Sequence, residues 1–230
     1  MDQDPKRKYH QPVMTKEIVE LFEPIERGVL VDATYGGGGH SAALLAAYPN
    51  LEIIGIDRDS DALRNSASAR VELVQSAFSS LDEILDDLSI HEIVGALFDL
   101  GVSGHQLDDP DRGFSYRSSG PLDMRMGPDS AHSAEEIVNE WSKRDLVETI
   151  ARYGEERFAS RIAAAIIAAR PITDTLVLAD VVKNAIPAAT RRTGGHPAKR
   201  TFQAIRIAAN GELAELTDGL TAALRRLAPG

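Results

Sequence analysis

Four consecutive glycines, Gly36-Gly37-Gly38-Gly39, followed by His40 and Ser41, stand between an apolar run and a segment of small residues. Glycine lets a backbone pass close to a ligand without Cβ interference, and a helix starting after such a loop offers N–H groups with no partner inside the helix. Asp57 ends the apolar stretch Leu51–Ile56, about twenty residues beyond the first glycine, where a carboxylate accepts hydrogen bonds from both hydroxyls of a ribose. Loop and acid together suit adenosine. A third segment, Phe98-Asp99-Leu100-Gly101-Val102-Ser103, sets another carboxylate at the end of an apolar run. Methyl transfer from a sulfonium to an exocyclic amine needs an in-line approach and an acceptor that draws the amine lone pair out of conjugation; Asp99 can be that acceptor.

Nicotinamide dinucleotides and S-adenosylmethionine both use a glycine loop followed by an acid. The dinucleotide fingerprint G-x-G-x-x-G needs a glycine five positions after the first, but Gly36 leads to Ser41, and starting at Gly37 or Gly38 fails likewise. S-adenosylmethionine is the better fit. The chain has no cysteine. That removes disulfide scaffolds, cysteine–zinc sites and the thiolate used to methylate carbon 5 of cytosine, whereas amine methylation needs no nucleophile. No metal-ligand spacing is evident, since the six histidines are scattered and His91-Glu92 has no second histidine at helical spacing. The N-terminal residues lack a signal-peptide core, and the longest apolar run, Ile162–Ala169, falls far short of the roughly 20 residues of a membrane span. These features predict a cytosolic, cytoplasmic protein with no membrane partner.

Positioning the three motifs requires strands that end at one edge. Apolar runs at Gly28–Asp32, Leu51–Asp57, Val71–Gln75 and Ile93–Asp99 read as strands; Ala42–Tyr48, Arg58–Ser66 and Leu81–Leu88 read as helices between them. A further helix, Thr15–Pro24, is expected to open on a Thr cap. Alternating strands and helices imply a parallel α/β sheet with right-handed crossovers. After Asp99 the alternation stops. From Asp108 to Lys199 only helical patterns are found, with Ser133-x-x-Glu136 and Ser142-x-x-Asp145 as helix starts and Phe158, Ile162 and Ile166 on one face of a helix beginning near Gly154. The expected domains are therefore residues 1–107, an all-helical insertion at 108–199, and a return helix within 200–230 that spans Thr201–Leu227.

In the 230-residue chain, 25 Lys and Arg against 35 Asp and Glu give a net charge of −10, but its distribution is uneven. Val181–Gly211 has no acid and contains Lys183, Arg191, Arg192, Lys199, Arg200 and Arg206. A basic block containing Gly194, Gly195 and Pro197 in an otherwise acidic chain suits contact with phosphates.

Several segments resemble the bacterial RsmH (MraW) family: Tyr9-His10-Gln11-Pro12-Val13-Met14, Ala33 to Ser41, Asp99 to Ser103, Gln106-Leu107-Asp108, Arg112 to Ser115, Gly120 to Met126, Tyr153 to Ala159 and His196 to Ala204. They occur in family order and together are highly specific. The resemblance implies a Rossmann-like class I methyltransferase sheet and methylation by S-adenosylmethionine of the N4 amine of a decoding-centre cytosine in 16S ribosomal RNA, as free RNA or within the small subunit. It implies that Gly38, Gly39 and His40 line the cofactor's methionine part, that Gly36 also contacts the cofactor, that Asp57 holds the ribose, that Phe78 flanks the adenine, and that Asp99 and Gln106 complete the pocket near the methyl group. Asp99 would be the catalytic residue, and Arg191, Arg192, Lys199 and Arg200 the RNA contacts.

Two departures from the family pattern stand out. Gly104-His105 replaces the family's usual Ser-Pro, bearing on the loop that carries Gln106. Family members also continue beyond Pro229-Gly230 into further strands, so the sheet is expected to be truncated after the fourth strand, in the order 3-2-1-4 with the fourth at an exposed edge. Such an edge predicts lowered stability and self-association, with a homodimer among the outcomes. A second reading is a catalytically impaired fragment that still binds S-adenosylmethionine or RNA.

Overall fold

The computed structural model describes residues 12–25, 27–65, 68–188, 190 and 195–229. By its own contacts the chain divides into two compact units, Met1–His105 with Leu213–Gly230, and Gln106–Glu212.

In the first unit, β1 (Arg27–Asp32), β2 (Asn50–Asp57), β3 (Val71–Gln75) and β4 (Gly95–Leu97) form one sheet in the order β3-β2-β1-β4, with every pairing parallel. This is the Rossmann-like α/β sheet expected from the alternating pattern. Successive strand residues point to opposite faces, so Leu30 and Ile53 pack on one side with Phe22, Leu44 and Leu51. Val31, Ile54 and Ile56 pack on the other with Leu81, Leu85, Ile93 and Ala222. Helices α1 (Thr15–Leu21) and α2 (Gly39–Ala47) cover the first side; α3 (Leu81–Asp87) and α10 (Glu212–Arg226) cover the second. Each of the buried valine, leucine and isoleucine side chains among these contributes about 1.5–3 kcal/mol.

Helix α10 is tied at its end by Arg226, whose Nε donates to Asp82 (2.8 Å) and whose Nη2 donates to Asp86 (2.7 Å) of α3. The chain then passes beside Ile93, whose N–H donates to the Arg226 carbonyl (2.8 Å) and whose carbonyl accepts from Ala228 N–H (3.0 Å).

The second unit is helical: α4 (Gly104–Asp108) at the junction, then α5 (Ala134–Glu140), α6 (Lys143–Gly154), α7 (Ala159–Ala169), α8 (Thr175–Ala185) and α9 (Lys199–Asn210). Among its described residues there is no strand, only an isolated bridge between Pro121 and Asp174. The two serine starts form as expected, Ser133 accepting from Glu136 N–H (3.1 Å) and Ser142 from Asp145 N–H (3.2 Å). Helices α6 and α9 approach so closely that a Cβ on Gly154 would lie 2.6 Å from the Arg200 carbonyl. Buried Asn210 clamps an irregular segment onto α9. Its Nδ2 donates to the Met124 carbonyl (2.7 Å), while its Oδ1 accepts from Met126 N–H and Ser130 Oγ (2.8 Å each). No described helix is long and apolar enough to cross a membrane.

The structure differs from the sequence expectations in several elements. Thr15 is the first residue of α1 rather than its cap; its hydroxyl donates back to the Pro12 carbonyl at 2.9 Å, and left-handed Met14 precedes it. A 3-10 turn, Ala62–Asn65, replaces the helix expected over Arg58–Ser66, where the side chains of Asp57 and Asp59 accept the backbone N–H groups of Asp59 and Asp61 instead. The fourth strand is only Gly95–Leu97, because its ladder with Leu30–Asp32 ends where β1 ends. Gly154 closes α6, and the helix carrying Ile162 and Ile166 starts at Ala159. The expected single helix Thr201–Leu227 is two. Gly211 has φ +63°, left-handed, and breaks it, so α9 packs in the second unit and α10 in the first.

Candidate active site

The strand order brings the C-terminal ends of β1, β2 and β4 together, and with them Asp32, Asp57 and Asp99. Thr34 links two of these ends, since its Oγ1 accepts the Asp99 N–H at 2.7 Å. The glycine loop is stitched to β2 by Tyr35 N–H on the Ile56 carbonyl (3.0 Å) and Gly36 N–H on Asp57 Oδ2 (2.8 Å). Asp57 Oδ1 accepts from Asp59 N–H at 2.8 Å. The Arg58 N–H also bonds this carboxylate, and since a carboxylate has about four lone-pair positions Asp57 keeps room for one ligand hydrogen bond. Burial raises its pKa, opposed by the N–H groups of Asp59 and Gly36.

Asp32, which sequence reasoning passed over as a site residue, is buried at the foot of the loop. Its Oδ2 accepts the Ser41 hydroxyl at 2.6 Å, stapling the end of β1 to the first turn of α2. Burial pushes its pKa up to about 6, against the lowering effect of the Ser41 and Thr34 hydrogen bonds. Its signal was present: Asp32 ends its strand as Asp57 ends the next.

Gly38 and Gly39 are required by the protein's own packing. Gly38 has φ +70°, and a Cβ there would collide with the Tyr35 hydroxyl; at Gly39 it would lie 2.7 Å from Cγ of Pro12. The N-terminal segment thus closes directly over the first turn of α2. His40 fastens it. Its Nε2 donates to the Val13 carbonyl at 2.8 Å, leaving Nδ1 facing Asp99 Oδ2 at 3.9 Å. The His40 side chain is 6% exposed and that of Asp99 is 43% exposed.

Phe78 follows β3 as a largely buried core ring, edge-on to Phe98 with centroids 5.6 Å apart. Gln106 is buried on α4, in the second unit. Arg191 and Arg192 lie outside the described residues; Lys199 and Arg200 are exposed in the first turn of α9, where Arg200 Nη1 donates to the Glu155 carbonyl at 3.0 Å. Two cations of the basic block are matched by acids just outside it. Arg206 holds Glu212 through two hydrogen bonds (2.7 and 2.8 Å), and Lys183 lies 3.8 Å from Asp180.

One further residue carried no sequence signal. Glu215 on α10 has a buried Oε2 with no hydrogen-bond partner. It lies one turn before Gly219, which packs on Phe78 and Phe98 at the upper end of β4, while Arg226 meets Ile93 below. The helix therefore descends along the sheet and places Glu215 toward the edge that bears Asp99. Among the described residues no cluster of three or more His, Asp or Glu could hold a metal ion.

The sequence matches the MraW methylase family over residues 7–230. It is 48% identical over 231 residues to the ribosomal RNA small subunit methyltransferase H of Thermobifida fusca, covering 95% of this chain and 70% of that protein. The protein of the same name from Saccharopolyspora erythraea is 49% identical over 236 residues (97% and 72%), and that from Mycobacterium marinum 48% over 242 residues (96% and 61%). With a match of this extent and the strand-end carboxylates arranged about its glycine loop, the chain belongs to the MraW methylase family.

Proposed function

We propose that this methyltransferase uses S-adenosylmethionine to methylate the N4 amine of a cytosine in the decoding centre of 16S ribosomal RNA. The observation that carries the reading is the pairing, on one sheet edge, of a ribose-type acceptor, Asp57, with an exposed carboxylate, Asp99, on either side of the glycine loop. The residues present fit the cofactor. Asp57 retains acceptor capacity beyond its three backbone N–H partners, a Cβ at Gly101 would meet open space, and Glu215 offers a buried oxygen without a donor.

When bound, S-adenosylmethionine supplies an electrophilic methyl group on a sulfonium. Asp57 would hold the ribose, while Gly36, Gly38, Gly39 and His40 would bound the methionine part at the start of α2; Phe78 would back the adenine, and Gln106 would complete the pocket. Asp99 accepts a hydrogen bond from the target amine, localises its lone pair, and receives the proton that nitrogen loses. Thr34 fixes where Asp99 stands by accepting its backbone N–H. The first unit would be the methyltransferase domain and the second the inserted helical domain that binds the RNA.

Lys199 and Arg200, with Arg191 and Arg192, would contact phosphates. The test is transfer of label from S-adenosylmethionine to small-subunit RNA or immature subunits. Asp99→Asn is expected to lower kcat by about 10²-fold or more while cofactor affinity, read by calorimetry, stays within a few-fold. Near-normal turnover would remove Asp99 from the chemistry, and binding of NAD alone would overturn the cofactor. Charge reversal at Lys199 and Arg200 should weaken RNA binding and reduce its salt dependence by about one unit of slope per lost phosphate contact.

A further inference from the structure

An aromatic stack in the second unit runs from its core to the surface. The Tyr116 and His196 rings lie nearly parallel, 13° between planes with centroids 4.6 Å apart, and buried Phe202 meets Tyr116 edge-on at 5.7 Å. Tyr116 is half-buried and His196 exposed, so the stack rises from the core and ends on an imidazole face open to solvent. His196 is held in a defined orientation, because its Nδ1 accepts the Ala198 N–H at 3.2 Å, leaving the proton on Nε2.

Cations surround it. The Arg117 guanidinium lies 5.7 Å from the Tyr116 centroid, and Lys199, whose N–H donates to the His196 carbonyl at 3.0 Å, is exposed beside it. Partial burial and the charges of Lys183 and Arg117 hold the His196 pKa below the ordinary imidazole value, with Asp180 opposing. At neutral pH the exposed ring is therefore an uncharged heterocycle.

We propose that His196, backed by Tyr116, is a stacking step for an unpaired RNA base, with Arg117 and Lys199 contacting the flanking phosphates. The proposal rests on the ribosomal RNA reading above and adds that the strand is single-stranded where it meets the second unit. A flat neutral ring framed by cations matches a nucleotide, whose π face and phosphate are offered together. In a duplex the bases are already stacked on their neighbours and present no free face. An acidic peptide would use the cations but has no need of the ring.

The test uses the full chain and a short single-stranded RNA carrying 2-aminopurine, whose fluorescence is quenched on stacking. Wild-type protein is expected to quench the probe and to prefer it over the same RNA as a duplex. His196→Ala should weaken binding by about tenfold and remove the quench, while His196→Phe, which keeps a flat ring, should restore both. Because stacking releases no counterions, His196→Ala should leave the salt slope unchanged, whereas Arg117→Glu with Lys199→Glu should reduce it. Unchanged affinity and quench in His196→Ala would overturn the proposal, as would polyglutamate competing as well as single-stranded RNA. The two readings separate cleanly. Methyl transfer by a protein whose RNA affinity ignores His196 leaves the enzyme reading standing without the stacking step; quenching that depends on His196 in a chain that transfers no methyl group does the reverse.

Discussion

Asp32 and Asp57 end adjacent strands with the same chemistry in sequence, yet their surroundings give them different roles. Asp57 receives backbone N–H groups from Gly36, Arg58 and Asp59 and keeps some acceptor capacity, while Asp32 is sealed against Ser41. Between about pH 4 and about 6 the folded chain holds a proton on Asp32 that the unfolded chain has released. A raised acid of this kind lowers stability as pH rises through that window, by about 3 kcal/mol for a pKa moved from 3.8 to about 6. Asp32→Asn should flatten that part of the stability curve, measured by urea unfolding across the window; an unchanged slope would show that Asp32 is ionised throughout. At Gly39 the prediction is steric. Alanine there must displace Pro12, so Gly39→Ala should cost about 1–3 kcal/mol in thermal unfolding and loosen the contact between His40 and Val13. Asp57 and Asp99 were legible because an acid closing an apolar run falls at the strand end where open α/β sheets bind ligands. That Gly38 and Gly39 face Tyr35 and Pro12 was not, because those contacts exist only after the segment has closed over the loop.

Among the elements, the break between α9 and α10 shows where periodicity misleads. Apolar spacing continues through Gly211, so the pattern reads as one helix, but the left-handed glycine and the Arg206–Glu212 pair across it redirect the chain between units. No atom outside its immediate neighbours lies within 4 Å of a Cβ at Gly211. Gly211→Ala should therefore cost only the left-handed backbone penalty, about 1–2 kcal/mol, with Gly211→Asn closer to wild type, as read by urea unfolding. A much larger loss would mean that α10 is displaced from the sheet. Asn210 belongs to the same scale. Its side chain replaces a missing element by binding three groups of the irregular segment Met124–Ser130, a role invisible until the segment and α9 are packed.

For the molecule as a whole, β4 is short and forms an edge of the described sheet, and α10 exposes Leu213, Leu220 and Leu224, the last 71% exposed. Their spacing of seven and four residues makes one apolar stripe on the helix. An exposed apolar stripe favours association. The chain is expected to form concentration-dependent oligomers in sedimentation velocity, and Leu220→Lys with Leu224→Lys to shift it toward monomer; a wild-type monomer at all concentrations would remove the stripe as an interface. The amino-acid sequence by itself determined the alternating sheet, the strand-end placement of Asp57 and Asp99 and the family, because strand-end acids and glycine runs are local signals carried by a few adjacent residues. Only the tertiary structure decided which basic residues are already paired, that Asp32 is sealed and Glu215 left without a donor, and that Tyr116 stacks on His196. Burial, and partnerships such as Tyr116 with His196, depend on how segments pack in three dimensions, which a local pattern does not encode.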